Sequence, residues 1–147
     1  MAATRRATAK WAGDLASGAG EVNAGTSGAF SELPATWASR TEAADGRTSP
    51  EELLAAAHAT CFSMSLASGL AKAGSPPESL DVSAEVTAER VDGRWTVVSS
   101  KLTVHGSVPG LDTARFREIA EQSRDGCTIS RALGGNVVLS VEASLDR

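Results

Sequence analysis

The sequence predicts an α+β fold with antiparallel sheets. Two observations support this class: short strand-like segments lie at the beginning, middle and end of the chain, and two longer segments between them carry helix-start signals. The predicted order is β-β-β-α-β-β-α-β, and runs of strands around two helices are typical of antiparallel sheets packed on helices. Because its 147 residues contain no repeat and no long linker, the chain is predicted to form a single domain over residues 1–147.

Three short strands are predicted before the first helix. Residues 7–13 (ATAKWAG) alternate weakly, and residues 21–28 (EVNAGTSG) form a second strand that two glycines weaken. Residues 35–40 (ATWASR) complete this opening meander and lead into a charged loop.

A central helix is predicted from Ser49 to about Lys72. Ser49 is a good N-cap, Pro50 suits the first helical position, and the acidic residues that follow are favourable in the first turn. A glycine and two prolines in residues 74–77 end the helix. Small residues that would let a second helix approach closely recur along it: Ala55, Ala56, Ala59, Ser63 and Ala67.

The second half of the chain is predicted to contain a hairpin, a helix and a closing strand. Residues 81–91 alternate apolar and polar side chains, and Asp92-Gly93 is a strong hairpin turn signal. The remaining elements are the partner strand at 94–108, a helix from 112 to 126, a short helical turn at 127–133 and a strand at 136–145.

Composition and charge argue against several classes of protein. The net charge is −4 and no basic stripe is present, so no nucleic-acid partner is expected. No apolar stretch is expected to reach the ~18 residues that span a bilayer, and the first residues lack the apolar core of a signal peptide. No membrane partner is therefore expected, and a cytoplasmic location follows, where structural disulfides are rare.

The two cysteines, Cys61 and Cys127, are either inert packing residues or redox residues. A nucleophilic cysteine must be a thiolate, which an apolar helix interior opposes and a nearby cation favours. Cys61 lies about three turns into the central helix, where the helix dipole helps little, so an arginine would have to reach it. Cys127 begins a predicted turn whose N–H groups can stabilise a thiolate, so local physics favours Cys127 as the more acidic thiol.

Other polar residues near Cys61 leave several roles open. His58 precedes it by three residues and could be a base, a metal ligand together with Cys61, Cys127 and His105, or a structural histidine bonded to backbone or water. The structural role is favoured, because the close paired spacing of a zinc site is missing. Ten residues of helix separate Glu51 from Cys61, about 15 Å along the axis. A carboxylate that orients an arginine over Cys61 could therefore come from a second copy of the helix.

Four segments carry a resemblance to a known family. Residues 50–66 (PEELLAAAHATCFSMSL) closely resemble the signature of the OsmC/Ohr family of thiol-dependent peroxidases. Residues 10–22 (KWAGDLASGAGEV) and 37–40 (WASR) resemble its OsmC branch. GCTIS at 126–130, just before the last strand, completes a pattern that spans almost the whole chain.

The resemblance implies a fold and a set of site residues. In the fold, sheets from two chains wrap around two central helices in an intertwined homodimer with active sites near the subunit interface. Cys61 matches the peroxidatic cysteine and Cys127 the resolving cysteine. Glu51 matches the carboxylate that pairs with the active-site arginine, for which Arg40 is the candidate.

The implied activity is the reduction of organic hydroperoxides to alcohols through a Cys61 sulfenic acid and a Cys61–Cys127 disulfide. Lipid hydroperoxides and hydrogen peroxide remain open as substrates. No metal or flavin is implied, and an external dithiol, which the family suggests is a lipoylated protein, regenerates the thiols. One departure concerns Thr128, where the family usually has proline; it is expected to loosen the turn that carries Cys127.

Two rivals to a peroxidase remain. One is a non-enzymatic dimer of the same fold that binds a small apolar ligand and keeps both thiols structural. The other is a thiol redox sensor, which the sequence disfavours because it contains no DNA-binding element. The joint presence of Cys61, Cys127, Glu51 and Arg40 favours the enzyme.

Overall fold

The structure is a computed structural model that describes residues 1–146 and divides into two compact units, Met1–Leu53 and the chain from Leu54 onward. The elements are β1 (Ala7–Ala12), β2 (Ala19–Ala24), β3 (Leu33–Ala35), α1 (Trp37–Thr41), α2 (Pro50–Lys72), β4 (Ser79–Val91), β5 (Arg94–Ser107), α3 (Thr113–Gly126), α4 (Thr128–Leu133) and β6 (Val138–Leu145). The predicted order of strands and long helices is confirmed, and α4 is the helical turn predicted at 127–133.

The first unit contains an antiparallel sheet in the order β1-β2-β3 and the short helix α1. The prediction of a strand over residues 35–40 is wrong, because the third strand ends at Ala35 and Arg40 lies on α1. A capping box explains the difference. The Ser39 N–H donates to Thr36 Oγ1 at 3.0 Å, and the Thr36 N–H donates to Ser39 Oγ at 2.9 Å. These reciprocal bonds start a helix where tryptophan and threonine alone favour a strand.

The second unit contains a sheet in the order β4-β5-β6. β4 and β5 form the predicted hairpin, with Asp92 and Gly93 at φ values of 51° and 77°, as a tight primed turn requires. The prediction of antiparallel sheets is wrong for the last pair, because β6 runs parallel to β5. The two helices α3 and α4 lie between these strands and supply the crossover that a parallel pair needs.

The core of the second unit lies between its helices and the sheet. On α2, Phe62, Leu66 and Leu70 recur at four-residue spacing and are fully buried. Their partners are Leu102 and Val104 on β5 and Phe116, Ile119 and Ala120 on α3. Each large side chain contributes about 1.5–3 kcal/mol by its burial. A Cβ on Gly69 would lie 3.1 Å from Ile119 Cγ2, so α2 and α3 approach closely at this glycine.

Helix α2 is apolar enough to raise the question of a membrane span. Within residues 1–146, α2 is the one helix whose length and composition would allow it to cross a bilayer. The expectation that no apolar stretch is long enough to span a bilayer is therefore wrong. Its buried residues are His58, Phe62, Leu66 and Leu70, of which the last three form part of the core described above. A core helix satisfies the same criteria of length and composition.

Candidate active site

Arg40 and Glu51 form a bidentate ion pair in the first unit. Arg40 Nε lies 2.9 and 3.1 Å from the two carboxylate oxygens of Glu51, and Nη2 lies 2.8 Å from Oε1. The side chains are 29% and 12% exposed, so the pair is largely shielded from water. Helix α1 presents Arg40 in its last turn, and the first turn of α2 presents Glu51. The structure thus brings together the arginine and the carboxylate that the resemblance pairs.

Trp37 holds the guanidinium from a second side. Arg40 Cζ lies 5.6 Å from the centre of the Trp37 ring, within cation–π range. The hydrogen bonds to Glu51 use Nε and Nη2 of Arg40. Among residues 1–146, Nη1 forms no hydrogen bond to another residue, so it can contact a ligand. Sequence analysis did not identify Trp37 in this role. Residues three apart lie on the same side of a helix but not of a strand, and a strand was predicted here.

Arg40 lines a largely apolar groove of about 520 Å³ within the first unit. Its apolar walls include Trp11, Trp37, Val22, Leu15 and Leu53, and its charged lining residues are Lys10, Glu21 and Arg40. A largely apolar groove with a few charged groups suits a ligand that has a hydrocarbon part and a polar end.

Both cysteines are free thiols in the second unit. Cys61 is partly buried on α2, and Cys127 is 2% exposed at the junction of α3 and α4. The Ser130 N–H donates to Cys127 Sγ at 3.4 Å, so Cys127 caps α4 with its own side chain. Cys61 packs against the core cluster that contains Cys127, which brings together the two thiols that the sequence separates by 66 positions.

Burial raises the pKa of the Cys61 thiol, but hydrogen bonds outweigh it and hold the pKa below the ordinary value. The largest of these comes from the Ile129 N–H, followed by the Cys127 thiol and by the N–H and hydroxyl of Thr128. The first turn of α4 is therefore directed at Cys61. The sequence-based preference for Cys127 missed this, because the N–H groups of Thr128 and Ile129, in the turn that begins at Cys127, act on Cys61.

His58 is fully buried one turn before Cys61. Its Nδ1 lies 2.6 Å from Ser100 Oγ and its Nε2 lies 2.7 Å from Ser130 Oγ. Burial lowers the pKa of His58. The sequence predicts backbone or water as the partners of a structural His58, whereas the structure gives it two serine hydroxyls.

A metal centre finds no support among residues 1–146, where no group of three histidine, cysteine or acidic side chains could hold an ion. His105, the remaining candidate ligand, lies on β5 and bonds to Ser144 and Asp146 at the surface. Sequence analysis did not identify Ser100 and Ser130 as the partners of His58. Only the C-x-x-S spacing of Cys127 and Ser130 hints at a helix start there.

An α+β chain with two free thiols in one packed cluster, one of which has a lowered pKa, is a candidate cysteine-dependent redox protein. Comparison with known proteins makes this class specific. Residues 43–142 match the family model for the OsmC-like protein. The chain is 35% identical over 142 residues to Peroxiredoxin OsmC of Escherichia coli strain K12, which covers 97% of this chain and 98% of that protein.

Solved structures show the same fold at lower sequence identity. The organic hydroperoxide resistance protein OhrB of Bacillus subtilis superposes with a TM-score of 0.75 at 23% identity, over 95% of this chain and 97% of that one. An OsmC-like protein of Mycoplasma pneumoniae gives a TM-score of 0.75 at 14% identity, over the full length of both chains. The chain belongs to the OsmC-like family. The predicted family is confirmed, and so is the prediction of a peroxidase, because the curated relative is a peroxiredoxin.

Proposed function

We propose that the protein reduces organic hydroperoxides to alcohols, with Cys61 as the peroxidatic and Cys127 as the resolving cysteine. The observation that carries the proposal is the convergence of the Cys127 thiol and the first turn of α4 on Cys61, which lowers the pKa of Cys61. A larger thiolate fraction near neutral pH makes Cys61 the better nucleophile.

The proposed reaction has two chemical steps. The Cys61 thiolate attacks the distal peroxide oxygen, the O–O bond breaks, and the alkoxide that leaves takes a proton to become the alcohol. Cys61 is then a sulfenic acid. The Cys127 sulfur, after losing its proton, attacks Cys61 Sγ and releases the hydroxyl group as water, which leaves a Cys61–Cys127 disulfide.

Arg40 and Glu51 are proposed to stabilise the first step. Negative charge develops on the leaving oxygen, and a guanidinium held by a carboxylate can meet it without reorganising. Arg40 keeps its charge in a partly buried site, which a lysine would not do reliably. Since ten residues of α2 separate Glu51 from Cys61, we propose that a second copy of the chain supplies the pair.

A homodimer is the assembly that this arrangement requires. The face of α2 formed by Ala56, Thr60, Met64 and Ser68 is exposed, and the Met64 side chain is 69% exposed. Small side chains around an exposed methionine leave room for a second helix to pack closely on this face. Sedimentation should give a dimer for the wild type and a shift toward monomer for Met64→Glu. A monomeric wild type would contradict the shared site.

A dithiol must reduce the disulfide to complete the cycle, and we propose a lipoylated protein in the cytoplasm as its source. Dihydrolipoamide should then restore both thiols faster than glutathione at the same thiol concentration. Equal rates for the two reductants would argue against a dedicated dithiol.

Intact-mass and free-thiol analysis after one equivalent of tert-butyl hydroperoxide tests the mechanism. The wild type should lose two hydrogens within one chain, Cys127→Ser should gain one trappable oxygen, and Cys61→Ser should not change. If both wild-type thiols survive the peroxide, the protein is not a peroxidase of this type.

A further inference from the structure

Three polar side chains meet in the apolar core of the second unit, and the proposed reaction does not use them. His58 on α2 and Ser100 on β5 are 0% exposed, and Ser130 on α4 is 2% exposed. The imidazole bridges the two hydroxyls, at 2.6 Å from Ser100 and 2.7 Å from Ser130. The trio therefore ties together three elements that the sequence keeps 42 and 72 positions apart.

A neutral imidazole fits this position. The neutral ring has one N–H donor and one acceptor nitrogen, and each serine hydroxyl can serve as the complement of either. All the ring's hydrogen-bonding capacity is thus used in the core. Burying polar groups costs free energy even when they are paired, and apolar side chains of the same size would pack here without that cost. The trio consequently calls for a role beyond packing.

Ser130 connects the trio to the thiols. Its backbone N–H donates to Cys127 Sγ at 3.4 Å, and its side chain meets His58. Helix α4 has only six residues, so tertiary contacts must hold it, because a helix of this length is unstable alone.

Helix α4 is attached to α2 at two neighbouring points. One is the hydrogen bond from His58 to Ser130, and the other is the cluster in which Cys61 of α2 and Ile129 of α4 pack against the core that contains Cys127. His58 and Cys61 are three residues apart on α2 and lie on adjacent parts of its surface. A change at the first point shifts the N–H groups at the second.

We propose that His58 is a positioning residue of the thiol site: through Ser130 it holds the first turn of α4 so that its N–H groups and Cys127 converge on Cys61. The inference rests on the proposed role of Cys61 as the reacting thiol. It concerns the reduced state, so it can be tested without any peroxide.

Ser130→Ala removes the bond to His58 and leaves the imidazole in place. The pH dependence of Cys61 alkylation by iodoacetamide, followed at that residue by peptide mass, should shift to higher pH in this variant. The alkylation rate at pH 7 should fall about fivefold, because it follows the thiolate fraction. Ser65→Ala is the matched control, since it also removes one hydroxyl contact between α2 and a neighbouring helix, the 3.2 Å bond to the Ser123 carbonyl. It should leave the alkylation profile unchanged.

A second pair of variants separates positioning from general stability. His58→Gln places an amide near the position of Nε2 and keeps a partner for Ser130, whereas His58→Asn places one near Nδ1 and reaches only Ser100. The alkylation profile should stay near the wild type in His58→Gln and move with that of Ser130→Ala in His58→Asn. Equal profiles for the Gln and Asn variants, or a Ser65→Ala shift as large as that of Ser130→Ala, would overturn the proposal. Failure of the proposed peroxidase would be seen separately, as thiols that alkylate normally but resist peroxide.

Discussion

Thr128, in the first turn of α4, lowers the pKa of the Cys61 thiol through both its backbone N–H and its hydroxyl. It is the first residue of α4, where the backbone N–H has no partner within the helix. The OsmC/Ohr family, to judge from the resemblance in the sequence, usually has proline here, which has neither group. In this chain Thr128 contributes to the environment of the Cys61 thiol.

Thr128→Pro should therefore raise the pKa of Cys61 and slow its alkylation at pH 7. A hydrogen bond to a charged group contributes about 1.5–3 kcal/mol, so a decrease of about tenfold is expected. Proline is tolerated at the first position of a helix, so the fold should survive. Thr128→Val keeps the N–H and loses only the hydroxyl, and its rate should lie between those of the wild type and the proline variant. Similar rates for all three proteins would show that these bonds do not stabilise the thiolate.

Arg40→Lys should lower kcat/KM for tert-butyl hydroperoxide by about 100-fold, which is typical of losing one oriented donor to a developing oxyanion. The lysine keeps the positive charge but cannot make the bidentate contact with Glu51. Steady-state kinetics with a saturating dithiol measures the effect.

Arg47→Lys supplies the matched control for Arg40→Lys. Arg47 is 45% exposed and contacts the exposed Asp45, so its replacement should change kcat/KM by less than about twofold. If both lysine variants retained full activity, Arg40 would have no role in the chemistry.

The elements that the sequence predicts well depend on local chemistry. Ser49 accepts the Glu52 N–H at 3.1 Å, and α2 begins at Pro50 as its capping residues indicate. The Asp92-Gly93 turn likewise adopts the positive φ values that its sequence favours. In both cases the deciding contacts lie within a few residues.

The features that the sequence does not predict depend on distant partners. The parallel pairing of β6 with β5 follows from the path of the chain through α3 and α4, which no local pattern encodes. The lowered pKa of Cys61 depends on donors from α4, which is distant in the sequence. The α2 sequence alone indicated that a cation would be needed to lower this pKa, and it could not indicate these donors. His58 shows the same limit, because Ser100 and Ser130 belong to other elements.

Trp37→Leu should lower kcat/KM by about two- to fivefold through a looser Arg40. A cation–π contact in a partly exposed site contributes about 0.5–1 kcal/mol, which corresponds to a change of this size. Trp37→Phe keeps an aromatic face and should retain most of the activity. Because Trp37 also lines the groove, KM and kcat should be measured separately. Equal losses for the leucine and phenylalanine variants would indicate that ring size, and not the contact with the cation, matters.

The pH dependence of stability should report on His58. Burial lowers its pKa in the folded protein, whereas the unfolded chain keeps the ordinary value of about 6.5. Between these two values the unfolded chain binds a proton that the folded protein does not. The free energy of unfolding should therefore fall as the pH falls from about 6.5 toward the lowered pKa, and this contribution should be fully present above about 6.5.

His58→Gln isolates this effect, because glutamine does not titrate. Urea unfolding at a fixed protein concentration should show the variant to be less stable than the wild type at pH 7.5, with the difference shrinking as the pH falls to 5. The fixed concentration matters because a dimer gains apparent stability by mass action. If the free energies of unfolding of the two proteins fell in parallel between pH 7.5 and pH 5, His58 would not be a buried neutral histidine. Its hydrogen bonds to Ser100 and Ser130 would then need another explanation.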